Sequence, residues 1–288
     1  MTNLLHWLAH WPLWLLHRLG AVLGWLTYAG SASYRQRLVA NAARAGLGVR
    51  ARRASVAQAG RMVAELPWLW LAPAERPIGK WVQWTGAAVL DEAVNRGGGV
   101  ILLTPHLGSF EVCAQAYAQR WGAKAPMTAL YRPARKAWLR EVEESSRQRP
   151  GLITAPANLT GVRQMIRALR RGQTVGLLPD QVPPDGMGVW APFFGQPAYT
   201  MTLASRLQEQ TGAPLLLMWA ERQPGGRGWR VGVQHPQELL PGVSDYSPAS
   251  INRLMEALIL RAPEQYLWGY HRYKQPRSVP THEETPGA

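Results

Sequence analysis

The chain has 288 residues, of which 47% are hydrophobic and 17% charged, a size that allows one large domain with a substantial core. Cys113 is its only cysteine, so an intrachain disulfide and a cysteine-based zinc site are excluded. The formal net charge of +14 favours an anionic partner, which could be nucleic acid, a phospholipid surface or a phosphorylated substrate.

The N-terminal segment is apolar and rich in tryptophan over residues 4–29. We predict a membrane-anchor helix over residues 1–30 and one domain over residues 31–288. Arg18 and Pro12 interrupt the apolar pattern, so a helix that spans the bilayer and a helix that lies in its interface both remain possible. The 14 tryptophans favour a membrane boundary, with a tryptophan-rich core as the alternative. The arginine-rich segment that follows predicts a cytoplasmic location for this flank.

Beyond residue 30, helical and strand patterns alternate along the chain. The patterns predict helices over residues 34–71, 111–120, 136–148, 160–171, 202–210 and 250–260, with a short helix that ends at residue 95. They predict strands over residues 100–104, 127–131, 174–178, 214–221 and 229–234. This alternation predicts an α/β fold with a mostly parallel central sheet flanked by helices.

Polar residues follow three of these strands, at the sheet edge where parallel α/β folds bind ligands. After the first strand, His106 lies in a loop and Glu111 falls in the first turn of the next helix, which we expect Ser109 to cap. A carboxylate on one imidazole nitrogen leaves the other free to take a proton from a hydroxyl. This pattern predicts a His106–Glu111 pair for general-base catalysis. A structural histidine beside an ordinary first-turn acid is the alternative.

The His-x4-Glu spacing resembles the signature of glycerolipid acyltransferases, in the lysophospholipid acyltransferase superfamily. Its surroundings resemble the lipid A biosynthesis lauroyl/myristoyl (late) acyltransferases. The resemblance extends over most of the chain and depends on an ordered series of short motifs: Gly98 to Gly108, Tyr131-Arg132-Pro133, Leu178-Pro179-Asp180-Gln181, Pro192 to Gly195, Thr211 to Pro214 and Pro263 to Trp268.

The resemblance implies an O-acyltransferase with His106 and Glu111 as the catalytic pair. It implies that Arg132 contacts phosphate or the developing oxyanion, and that Asp180 and Gln181 belong to the substrate-binding element. It also implies acyl carrier protein as the donor carrier, a lipid A precursor as the acceptor and a location at the cell inner membrane with the catalytic domain on the cytoplasmic side. We expect no metal and no cofactor beyond the acyl thioester co-substrate.

Three rival interpretations remain. The acceptor could be another lipid, such as a lysophospholipid, an amino-acid lipid or a pigment lipid. The basic, aromatic composition also suits a nucleic-acid-binding module, although the N-terminal segment argues against nucleic acid as a partner. Water could replace the acceptor and make the protein a hydrolase, but the chain has no Gly-x-Ser-x-Gly nucleophile motif.

Overall fold

A computed structural model describes residues 2–71, 76–131 and 149–276 of the chain. Its helices are α1 (Thr2–Leu8), α2 (Leu13–Gly30), α3 (Ala32–Arg44), α4 (Val49–Trp70), α5 (Ala87–Arg96), α6 (Phe110–Trp121), α7 (Leu159–Arg170), α8 (Leu203–Thr211), α9 (Pro236–Leu239) and α10 (Pro248–Ile259). Its strands are β1 (Val82–Thr85), β2 (Val100–Leu103), β3 (Met127–Tyr131), β4 (Leu152–Pro156), β5 (Thr174–Leu177), β6 (Gly188–Phe193), β7 (Gln196–Met201), β8 (Leu215–Arg222) and β9 (Trp229–Gln234).

The central sheet has seven strands in the order β1-β9-β8-β2-β5-β3-β4. Strands β8, β2, β5, β3 and β4 are parallel to one another, whereas β9 pairs antiparallel with β8 and carries β1 parallel to itself. The predicted α/β class with a mostly parallel sheet is therefore confirmed. Strands β6 and β7 form a separate hairpin.

Both faces of the sheet are buried, as strand β2 illustrates. All four of its side chains are buried, with Ile101 and Leu103 in one core cluster and Val100 and Leu102 in the other. Helices α7, α8 and α10 cover the first face, and α4, α5 and α6 cover the second. A parallel sheet covered on both faces explains the continuous apolar run that predicted this strand.

The N-terminal segment, predicted as one anchor helix over residues 1–30, instead forms two helices: α1 ends at Leu8, and Pro12 stands at the N-cap of α2. Helix α2 crosses α4 through glycines, and a Cβ on Gly60 would lie 1.9 Å from the Gly20 carbonyl oxygen. The opposite face of α2 leaves Leu19, Val22, Leu23 and Leu26 exposed. Within the described residues, no helix combines the length and apolar character needed to cross a membrane.

Several elements differ from the sequence prediction. The helix predicted over residues 34–71 is two helices, because the chain turns at Gly46 with a φ of 73°. Strands β1, β4, β6 and β7 were not predicted, since they are short or half-exposed and lack a clear apolar run. Some tryptophans fit the core interpretation and others the surface one. Trp68, Trp229 and others are buried in the core, whereas Trp7, Trp14, Trp25 and Trp190 are exposed.

Candidate active site

His106 lies in the loop between β2 and α6, at the carboxyl edge of the sheet. Backbone hydrogen bonds hold this loop on both sides: Gly108 donates to the Gln265 carbonyl at 3.0 Å, Ser109 donates to the Ala220 carbonyl at 2.9 Å, and Leu267 donates to the His106 carbonyl at 3.3 Å. Gly108 has a φ of 60°, and a Cβ there would lie 2.0 Å from the Ala220 carbonyl oxygen. The loop therefore requires glycine at this position to lie so close to β8.

Asp180 contacts His106 through both carboxylate oxygens. Oδ1 lies 2.7 Å from the ring Nδ1, and Oδ2 accepts the His106 backbone N–H at 2.9 Å. The strand register explains this contact. β2 and β5 are parallel neighbours in which Leu103 pairs with Leu177, and His106 and Asp180 each follow three residues later.

The electrostatics of the pair favour an ionised Asp180. Burial alone would raise the pKa of the Asp180 carboxyl, but the charge and hydrogen bonds of His106 lower it further than burial raises it. Because a carboxylate can only accept, Nδ1 carries the proton of this hydrogen bond. Tyr266 lies beside the pair, and burial together with the Asp180 charge raises the pKa of its hydroxyl well above the usual value.

The second ring nitrogen of His106 faces Gln181. The Gln181 Nε2 lies 2.9 Å from His106 Nε2 and donates to its lone pair. Both members of the predicted substrate-binding pair, Asp180 and Gln181, therefore contact the imidazole. Asp180 is only 1% exposed and lies behind the ring, whereas Gln181 lines the neighbouring cavity.

Glu111 lies in the first turn of α6, as expected, but the imidazole partners differ from the expected arrangement. The carboxylate on Nδ1 belongs to Asp180, and Glu111 Oε2 accepts the Trp70 indole N–H at 3.3 Å. Ser109 stands at the N-cap position, but the expected side-chain cap is wrong, since its hydroxyl makes no capping hydrogen bond.

His106 and Glu111 nevertheless line the same cavity, which has a volume of about 350 Å³. Its other walls are mostly apolar and include Phe110, whose ring centroid lies 4.7 Å from that of His106. Further apolar lining comes from β3, α7, the segment between β5 and β6, the end of β7 and the start of α8: Leu130, Val162, Leu178, Val182, Pro183, Pro184, Met187, Met201 and Leu203. An apolar slot with a few convergent polar groups is typical of a site for a hydrocarbon-bearing ligand.

The remaining residues that the sequence singled out are Arg132, the segment 136–148 and Cys113. Arg132 and the helix predicted over residues 136–148 lie outside the described residues. Cys113 is buried and free, and burial raises the pKa of its thiol to about 12, so it remains protonated at neutral pH. Among the described residues, no group of three His, Cys, Asp or Glu side chains could hold a metal ion.

A buried network that the sequence did not reveal supports the His106 loop from β8. Arg222 forms a paired contact with Glu65, with Nε to Oε2 at 3.0 Å and Nη2 to Oε1 at 2.8 Å. Its Nη2 also donates to the Gly108 carbonyl at 3.0 Å, and His17 of α2 lies 3.1 Å from Glu65. Burial opposes ionisation of Glu65, but Arg222 and His17 lower its pKa to about 2. The network therefore links α2 and α4 to the loop of the candidate site.

Comparisons with known proteins identify the family of this chain. The sequence model of the family described as "Bacterial lipid A biosynthesis acyltransferase" matches residues 4–275. The chain is 27% identical over 226 residues to the lipid A biosynthesis lauroyltransferase of Escherichia coli (strain K12), which covers 77% of this chain and 71% of that protein. It is 29% identical over 216 residues to the lipid A biosynthesis palmitoleoyltransferase of the same strain. That match covers 75% of this chain and 68% of the relative. Because the family match spans nearly the whole chain, this protein belongs to the bacterial lipid A biosynthesis acyltransferase family.

Proposed function

We propose that this protein transfers a fatty acyl group from the thioester of an acyl carrier protein to a hydroxyl of a lipid A precursor. The observation that carries the proposal is the His106–Asp180 pair at the mouth of an apolar cavity. The Asp180 carboxylate is 2.7 Å from Nδ1, so Nε2 is the nitrogen that can accept a proton from a hydroxyl. The acceptor hydroxyl would replace the Gln181 amide as the hydrogen-bond partner of Nε2.

In the proposed reaction, Nε2 of His106 takes the proton of the acceptor hydroxyl as that oxygen attacks the thioester carbonyl carbon. The tetrahedral oxyanion then collapses, the carbon–sulfur bond breaks and the ester forms. The departing thiolate takes the proton back from the imidazolium, so the base is regenerated. Asp180 stabilises the imidazolium during this cycle and keeps the ring in the productive tautomer.

Glu111 and Arg132 keep the roles that the family resemblance implies. We propose that Glu111 acts with His106 at the cavity wall, where its negative charge lies near the reacting groups. We propose that Arg132 donates hydrogen bonds to a phosphate or to the oxyanion, a role for which a planar guanidinium is well suited. Substitution of Arg132 by alanine should therefore weaken turnover severely.

An arginine face on α7 supports a protein carrier as the donor. Arg163, Arg167 and Arg170 are exposed on this helix, which contains no acidic residue. The same helix lines the apolar cavity through Val162. An acidic carrier that docks on these arginines would hold its thioester close to the cavity, and charge complementarity would raise the rate of encounter.

The exposed apolar face of α2 supports contact with a membrane surface. Leu19, Val22, Leu23 and Leu26 lie on the side turned away from α4, and exposed Trp14 lies on the same helix. We propose that this face lies in the bilayer interface of the inner membrane on its cytoplasmic side. This arrangement corresponds to the interfacial alternative for the N-terminal segment.

Acyl transfer by the purified protein tests the proposal directly. Acyl carrier thioester is supplied with either a lipid A precursor or a lysophospholipid, and the products are identified by mass spectrometry. We expect one new ester on the lipid A precursor. Transfer only to the lysophospholipid would reject the proposed acceptor, and thioester hydrolysis that is unaffected by either acceptor would reject transferase function.

A further inference from the structure

A second cavity lies at the carboxyl end of β8, on the other side of β2 from the apolar cavity beside β5. Its volume is about 650 Å³, and most of the residues that line it are charged or polar. Arg222, the last residue of β8, lines this cavity. Its guanidinium also donates to the carbonyl of Gly108 in the His106 loop at 3.0 Å. The cavity therefore adjoins the loop that carries the proposed base.

The cavity wall carries four arginines and two carboxylates among the described residues: Arg18, Arg61, Arg222, Arg230, Glu221 and Glu264. Arg222 is paired with Glu65, and Arg230 lies 3.9 Å from Glu221. Within the described part of the chain, Arg18 and Arg61 have no carboxylate at ion-pair distance. Glu264 is the one carboxylate of this wall without an arginine at ion-pair distance among the described residues, so the lining carries an excess of positive charge.

Arg61 and Arg222 repel each other across this wall. Burial lowers the pKa of Arg61, and the charge of Arg222 lowers it further. A bound anion would relieve this repulsion and provide acceptors for the Arg61 and Arg18 guanidinium groups, which bind phosphate oxygens well.

The rim of the cavity indicates where such an anion comes from. Trp14 and Arg18 of α2 line the cavity, and the Arg18 guanidinium lies over the Trp14 ring at 5.1 Å. The same helix exposes the apolar face described above. A lipid with its chains against α2 would present its headgroup at the level of these two residues.

We propose that this cavity binds a phosphate group of a membrane lipid through Arg18 and Arg61. The proposal rests on the proposed function where the lipid is the phosphorylated acceptor. In that case the cavity would hold the acceptor's phosphate while its hydroxyl reaches His106 on the neighbouring loop. A bulk phospholipid headgroup offers the same phosphate chemistry.

The first arm of the test uses detergent micelles without phospholipid and saturating acyl carrier thioester. Initial rates are measured with the lipid A precursor and with the same lipid after its phosphates are removed. The R18Q/R61Q double variant should raise KM for the phosphorylated acceptor by about tenfold or more, as expected for the loss of a charge-assisted hydrogen bond. Its KM for the dephosphorylated acceptor and its kcat should remain close to wild type. Arg206→Gln is the control, because Arg206 is exposed on α8 and lines neither cavity.

The second arm measures binding to phosphatidylglycerol and phosphatidylcholine vesicles and needs no turnover. A variant that loses its preference for phosphatidylglycerol but keeps its acceptor KM would assign the cavity to a bulk phospholipid headgroup. If neither KM nor vesicle preference changes, the phosphate site is rejected. If the wild-type protein acylates no lipid A precursor, the proposed function fails, and the vesicle arm still decides whether the cavity binds phosphate.

Discussion

Asp180 bridges two atoms of His106, accepting the backbone N–H at 2.9 Å and lying 2.7 Å from the ring Nδ1. One buried carboxylate thus fixes both the loop position and the tautomer of the imidazole. This relationship makes the proposed general-base mechanism directly testable.

Substitution of either partner should remove most of the activity. We expect His106→Ala and Asp180→Asn to lower kcat by about 100- to 10,000-fold, because the first removes the base and the second removes the carboxylate that orients it. Thermal melting should establish that the variants remain folded. Asp185→Asn is the matched control, since Asp185 is exposed and accepts from the adjacent Gly186 N–H. A wild-type kcat in Asp180→Asn would remove this carboxylate from the mechanism.

Glu111 tests whether a second carboxylate takes part. We expect Glu111→Ala to lower kcat by about 100-fold or more, because it removes an acid that lines the cavity together with His106. Glu92→Ala on the exposed face of α5 serves as control. An increase in acceptor KM with unchanged kcat would instead assign Glu111 to substrate binding.

The apolar cavity should determine the preferred acyl length. Met201→Trp replaces a flexible side chain of the cavity wall with a bulkier indole. Transfer of longer acyl chains should therefore lose more activity than transfer of shorter ones. Each methylene that no longer fits costs about 0.8 kcal/mol, which corresponds to roughly fourfold in kcat/KM. The measurement is kcat/KM for carrier thioesters of increasing chain length. An equal loss at every length would show that the chain does not occupy this cavity.

The arginine face of α7 should matter only for a protein-bound donor. We expect R163E/R167E to raise KM for the acyl carrier thioester by about tenfold at low salt, with a smaller effect at high salt because ions screen exposed charges. The same acyl group on pantetheine alone should react at the wild-type rate. Arg96→Glu on α5, on the opposite face of the sheet, is the control. Equal effects on both donors would contradict carrier docking on α7.

The Glu65–Arg222 pair should stabilise the fold in a pH-dependent manner. Glu65→Gln leaves Arg222 buried without its counter-charge, so we expect the free energy of unfolding to fall by about 3–5 kcal/mol. The folded-state pKa of Glu65 is about 2, below the ordinary 4.5, so its contribution is complete above pH 4.5 and is lost as the pH falls toward 2.

Denaturant unfolding of wild type and Glu65→Gln at several pH values measures this effect. The difference between the two proteins should shrink as the medium becomes more acidic. A difference that stays constant from neutral pH down to pH 2 would contradict the assigned ionisation of Glu65.

The sequence by itself determined the α/β class, most elements around the site and the loop that carries His106. Apolar runs bounded by turns mark strands buried on both faces, and β3 and β9 begin and end where the pattern predicted. The family motifs also singled out Asp180 and Gln181. These features are local, so one-dimensional patterns reveal them.

Only the tertiary structure decided which side chains meet. Glu111 is five residues from His106 along the chain, yet Asp180, 74 residues away, contacts the imidazole. The parallel pairing of β2 with β5 produces this contact, and no spacing along the chain specifies which strands are neighbours. The Glu65–Arg222 pair, 157 residues apart, arises in the same way, because packing of α4 against the end of β8 brings the two charges together.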